Sequence, residues 1–114
     1  MAEWKKYWDE EIETMPRKSL EALQLRLLKD ELDFAYQNSL FYQTSFQEAG
    51  AMPDSLKTLE DIRKFPYTNK KVERDRQVAV PDLGDMIAVP EEEIVYVSAS
   101  SGSTGVPTLS PFSA

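Results

Sequence analysis

The chain has no cysteine and no histidine. Without thiols there is neither a disulfide framework nor a thiolate metal site. The missing imidazole removes the commonest general base and metal ligand. Positive charge is also scarce, with 13 basic against 20 acidic side chains and a formal net charge of −7 over 114 residues. That deficit argues against nucleic acid as a partner, because such binding is dominated by cationic contacts to phosphate. An anionic membrane surface is disfavoured for the same reason. No run approaches the ~20 apolar residues that span a bilayer, and Met1-Ala2-Glu3-Trp4-Lys5-Lys6 lacks the apolar stretch of a secretion signal. No membrane partner and a cytoplasmic location are therefore expected. The carboxylates, though plentiful, fall into no calcium-loop spacing.

One absence is local. No carboxylate, ammonium or guanidinium side chain follows Glu93. A neutral tail that begins inside a predicted strand is what a cut through a sheet would leave, with strand edges short of partners.

What is present is mostly helical. Trp4, Tyr7, Trp8, Ile12 and Met15 fall at helical spacing, which predicts a helix over residues 3–14 docking an aromatic face on a core; an aromatic ligand cage is the minor alternative. Pro16 stops that segment and suits the first turn of the next. The longest helix is expected over 16–38, where Leu25, Leu28, Leu32 and Ala35 form a stripe broadened by Leu20, Leu23 and Leu27. Asn38-Ser39 breaks the pattern, and a short helix from Phe41 to Glu48 ends at Gly50. Met52-Pro53-Asp54 reads as a turn, and Thr58 with Asp61 as a capping box opening Leu59 to Lys64. Thr68 is the expected cap of a helix from Asn69 to Gln77. Residues 81–85 are loop, Met86 to Val89 a short strand or an apolar contact, and Glu91-Glu92-Glu93 a solvated ramp.

The most informative stretch is Ser100-Ser101-Gly102-Ser103-Thr104-Gly105-Val106-Pro107-Thr108. It follows Ile94-Val95-Tyr96-Val97, which is β-branched and aromatic and reads as a strand. Gly102 and Gly105 permit backbone conformations that a Cβ forbids. Successive N–H groups can then face one concavity, a nest for anionic oxygen. The hydroxyls of Ser100, Ser101, Ser103 and Thr104 offer further donors. The loop has neither the Gly-Lys-Ser/Thr ending of a Walker P-loop nor a G-x-G-x-x-G fingerprint. On composition alone, an ordinary hairpin turn or a flexible linker is the favoured reading.

Residues 100–108 resemble the nucleotide-phosphate loop of the acyl-adenylate-forming enzymes. Upstream, Tyr7 to Arg17, Leu20-Glu21-Ala22-Leu23-Gln24, Ala35-Tyr36-Gln37-Asn38, Phe41-Tyr42, Ala49-Gly50 and Phe65-Pro66-Tyr67-Thr68-Asn69-Lys70 resemble, in the same order, the opening of phenylacetate–CoA ligases. Val106 departs from the pattern, standing where that family commonly has lysine.

The resemblance implies an α+β piece from the amino-terminal end of such a ligase: about four helices leading into a β-hairpin of the large α/β domain. Residues 1–80 would be the helical region, and 81–114 the linker, strand and phosphate-binding loop. It implies ATP, Mg2+ and CoA as cofactors of the parent enzyme, with phenylacetate or a similar aryl acid as substrate. Ser100, Ser101, Gly102, Ser103, Thr104 and Gly105 would be the nucleotide-binding residues, and no catalytic or metal-binding residue is assigned. The parts of such enzymes that contact adenine and ribose lie outside these residues, so the piece is expected to be inactive alone. The apolar surface left open is expected to promote self-association. A helical interaction module without nucleotide binding is the alternative.

Overall fold

The computed structural model describes residues 3–102 and 105–114. Among them the order is α1 (Glu10–Glu13), α2 (Arg17–Asn38), α3 (Leu40–Ala49), 3-10 turns at Pro53–Ser55 and Leu59–Lys64, α4 (Lys70–Ala79), a 3-10 turn at Glu91–Glu93, then β1 (Ile94–Ala99) and β2 (Leu109–Ser113). This is the expected α+β layout of helices followed by a hairpin. No helix among the described residues is long and apolar enough to cross a membrane.

Local chemistry sets most boundaries. The α2 helix begins after Pro16 and stops at Ser39, whose extended backbone ends it and whose Oγ caps α3 by accepting from Tyr42 N–H. Gly50 closes α3 in the left-handed conformation at φ 66°. The Leu59–Lys64 turn opens on the Asp61 carboxylate, which accepts from the N–H groups of Lys57 and Thr58 at 2.8 and 2.7 Å. Its ion pair with Lys64, together with those two amides, holds the Asp61 carboxyl well below the usual carboxylate range. The cap of α4 is Asn69, whose Oδ1 accepts from Val72 N–H at 3.0 Å, and not Thr68 as the sequence suggested.

The amino-terminal expectation is overturned. Helix α1 spans only Glu10–Glu13, because the Asp9 side chain caps it and Glu13 Oε1 reaches back to the N–H groups of Trp8 and Asp9, both at 2.8 Å. Residues before Asp9 are thereby kept out of the helix and no aromatic stripe forms. Trp4 and Trp8 are each 98% exposed, docked on nothing. Of the two options for Met86 to Val89, the structure shows the apolar contact and not the strand: the four residues are half-buried and line a pocket.

The core is small and lies within residues 25–65. Leu32, Phe46, Ala51, Leu56 and Phe65 are buried, with Leu25, Leu28, Tyr36 and Tyr42 packed around them. Phe46 is the hub, meeting Phe65 edge-on at 5.0 Å between ring centroids and Tyr42 at 5.8 Å. No residue of α1, α4 or the β-strands belongs to this buried set. The radius of gyration is 17.7 Å, against about 13 Å for a compact domain of this length. Accessible surface is 8822 Å², where a compact monomer of this mass has about 6,300 Å². The chain is spread out, and much of its apolar surface is open.

Candidate functional site

The hairpin pairs β1 with β2 antiparallel, from Ala99 opposite Leu109 to Ile94 opposite Ser113, with an irregularity between Ile94 and Tyr96. The expected phosphate loop is therefore the hairpin's own connection. It is closed by Ser100 N–H donating to Thr108 O at 2.9 Å and by Thr108 N–H donating to Ser100 Oγ at 2.8 Å. The Ser100 hydroxyl oxygen thus takes the place of a ladder carbonyl. Within the loop, Gly105 N–H donates to Gly102 O at 2.9 Å, a tight turn. Ser103 and Thr104, two of the nucleotide-binding candidates, lie outside the described residues.

Gly102 is required by this geometry. Its φ is +65°, and a Cβ built there would stand 3.0 Å from the Gly105 carbonyl oxygen and 3.6 Å from the Pro107 ring. Any larger residue would clash with backbone as well as adopt a disfavoured conformation. Gly105, at φ +118°, has open space around it. Of the loop's N–H groups, those of Ser101, Gly102 and Val106 have no acceptor among the described residues. The buried Thr108 Oγ1 also has no partner there.

The hairpin is tied to the helices by side chains that sequence reading did not single out. Gln77 on α4 brackets Leu109, its Nε2 donating to Leu109 O at 2.8 Å and its Oε1 accepting from Leu109 N–H at 3.0 Å. The amide thus pairs with the edge of β2 as a further strand would. Gly84 makes room for this contact: a Cβ there would lie 3.2 Å from Gln77 Cγ and 3.3 Å from its backbone. The residue preceding Gln77, Arg76, donates from its guanidinium to both carboxylate oxygens of Asp85, which raises its pKa further above the ordinary arginine value. The Asp85 carbonyl accepts from Phe41 N–H at 3.0 Å and from the buried Ser39 hydroxyl at 3.1 Å. Residues 39, 76 and 85 therefore join the start of α3, the middle of α4 and the loop before β1. No sequence spacing announces contacts across 32 or 46 positions.

Two cavities border the hairpin. One, of about 340 Å³, lies between Tyr42, Glu73, Gln77, Met86 to Val89, Ile94 and Pro111. The other, an open groove of about 560 Å³, runs between α4 and the loop, lined by Arg74, Asp75, Val78, Ala79, Gly105 and Val106. Among the described residues, no three His, Cys, Asp or Glu side chains cluster as metal ligands.

No family model matches the chain. Among curated proteins it is 44% identical over 98 residues to phenylacetate–coenzyme A ligase of Escherichia coli strain K12, over 86% of this chain and 21% of that protein. It is 41% identical over 99 residues to the phenylacetate–coenzyme A ligase of Thermus thermophilus, over 87% of this chain and 21% of that one. Among solved structures, 2-hydroxyisobutyryl-CoA ligase in complex with 2-HIB-AMP and CoA in the thioesterification state superposes with a TM-score of 0.88 at 35% identity, over 96% of this chain and 23% of that chain. The same ligase in the postadenylation state with 2-HIB-AMP gives 0.84 at 35% identity, over 92% of this chain and 22% of that chain. The chain spans about a fifth of the length of the curated relatives it matches. In sequence it is a relative of the phenylacetate–coenzyme A ligases, and in fold it corresponds to one part of a CoA ligase.

Proposed function

We propose that this chain is the amino-terminal portion of the large domain of an ATP-dependent, AMP-forming acid–CoA ligase, with residues 1–80 as helical support and 81–114 as linker, strand and phosphate-binding loop. The acid is phenylacetate or a similar aryl acid. Its carboxylate oxygen attacks the α-phosphorus of ATP, the bond from that phosphorus to the α–β bridging oxygen breaks and pyrophosphate leaves; Mg2+ would supply further neutralisation of phosphate charge. The CoA thiolate then attacks the acyl carbon of the adenylate, and AMP departs. In this scheme Ser100 to Gly105 neutralise charge that develops on the leaving β,γ-phosphates. Fixed dipoles do this well because they need no reorganisation as the bond breaks.

The observation that carries this reading is the turn at Gly102, which follows β1, leaves amides without acceptors among the described residues and crowds any Cβ against backbone at positive φ, in a chain 44% identical to phenylacetate–CoA ligases. Alone the chain is expected to be inactive, since the surfaces that would hold adenine and ribose lie elsewhere. The excess of accessible surface favours a body that packs against more protein, and self-association of the isolated chain follows from the same exposure. A cytoplasmic location fits a ligase that uses ATP and CoA.

The test is a titration of ATP, with and without magnesium, into the 15N-labelled chain, alongside ATP–pyrophosphate exchange with phenylacetate. Amide shifts confined to residues 100–108 in the millimolar range, with no exchange activity, are expected. Shifts at other residues only, or none at all, would refute nucleotide binding and favour a helical interaction module.

A further inference from the structure

The loop carries no cation, and none follows Glu93 anywhere in the chain. A polyphosphate in this cradle would need its charge balanced from another element, and the groove beside Gly105 and Val106 supplies only one wall that can do so. That wall is α4, with Lys70, Lys71, Arg74 and Arg76. Their circumstances differ sharply. Arg76 is spent on Asp85. Lys71 is paired with Asp75 at 2.5 Å, which also offsets the one carboxylate lining the groove. Lys70 does not line the groove. Arg74 does, and it makes no ion pair among the described residues. Its Nε is buried and has no acceptor there.

A buried guanidinium nitrogen without an acceptor is costly, because a charged donor loses water and receives nothing in exchange. An acceptor relieves that cost, and because Arg74 lines the groove, an anion bound there lies beside its guanidinium. Arginine's planar fork matches phosphate oxygens and holds its charge at any working pH. Resting on the phosphate-loop reading above, we propose that Arg74 is the cation of this site: it binds the terminal phosphates of a nucleoside triphosphate, or free pyrophosphate, across the groove from Gly105 and Val106. The charge that the loop lacks is thus delivered by a helix packed beside it.

The experiment follows the Nε–H resonance of Arg74 and the amides of Gly102 and Gly105 in the 15N-labelled chain, during separate titrations with ATP, pyrophosphate and AMP. Pyrophosphate and ATP should both move the Arg74 Nε resonance together with the glycine amides, and AMP should leave it in place. Arg74→Gln should weaken pyrophosphate binding about tenfold, the lower end for a charge-assisted hydrogen bond. Arg74→Lys should lose less, and adding Val106→Lys to Arg74→Gln should recover most of the affinity by returning a cation to the groove. If the glycine amides respond while the Arg74 Nε resonance stays put, or Arg74→Gln binds as the parent does, the assignment of Arg74 is overturned and the loop reading stands. An equal response to AMP would also overturn it, as would a silent Arg74 resonance in the unsubstituted chain should Arg74→Gln not fold. Silence of both arginine and glycines would overturn both proposals.

Discussion

Residues 25–65 and the hairpin region beyond α4 are built on different physics. In the first, Phe46 and Leu56 sit in a dry cluster where α2, α3 and the 3-10 turns meet, and shape complementarity among apolar side chains fixes the arrangement. In the second, no strand residue belongs to the buried apolar set. Position there is set by directional bonds: Gln77 on Leu109, Arg76 on Asp85, and the Asp85 carbonyl on Phe41 and Ser39. Burial tolerates exchanges of similar volume, whereas a polar anchor fails if either partner is lost. The loop with the candidate site hangs on the second kind of support. Its geometry therefore depends on a handful of side chains outside it.

That contrast can be broken at either end. The largest effect is expected in the core. Leu56→Ala, at a position with no exposure, should cost about 2–5 kcal/mol of unfolding free energy in urea titrations, a large share of a small domain's total. Next, Gln77→Ala should cost only about 1–2 kcal/mol, for two hydrogen bonds at a half-buried edge. Its signature is spatial: hydrogen-exchange protection should fall at Leu109 and neighbouring strand amides while Leu32 and Phe46 keep theirs. Loss of protection throughout would show that the two regions are one cooperative unit.

A smaller effect concerns pH. The folded Asp61 carboxyl titrates below its unfolded value, so its contribution is complete above about pH 4 and is lost as acidity carries it through the folded pKa. Asp61→Asn should lower the melting temperature at neutral pH and flatten its decline toward acid. A variant with the same acid limb as the parent would contradict the assignment. Smallest of all, Trp4→Ala and Trp8→Ala should shift stability by less than about 0.5 kcal/mol, because both rings are solvated.

The same divide explains what could be read from the chain. The expected break at Ser39, the Gly50 terminator and the Thr58–Asp61 box coincide with observed boundaries because each depends on bonds within a few residues. The choice between Thr68 and Asn69 as a cap was finer than pattern alone resolves. Trp4 and Trp8 misled because periodicity proposes a face but cannot supply the surface to bury it. Gly102 was legible as a residue needing freedom. Ser100 was legible as a polar loop residue, yet its oxygen is engaged in closing the hairpin. Gln77 and Arg74 were not legible, since nothing local distinguishes the α4 side chains that face the loop from those that face water.

The most direct trial of the account is pyrophosphate binding to the Gly102→Val chain, measured beside the unsubstituted one by amide chemical shifts, with exchange protection of Phe46 confirming an intact core. The account predicts that the parent chain responds at Gly105 and Val106 and that the variant, unable to form the turn, loses this response. A variant that binds pyrophosphate as tightly as its parent, at the same residues, would contradict it.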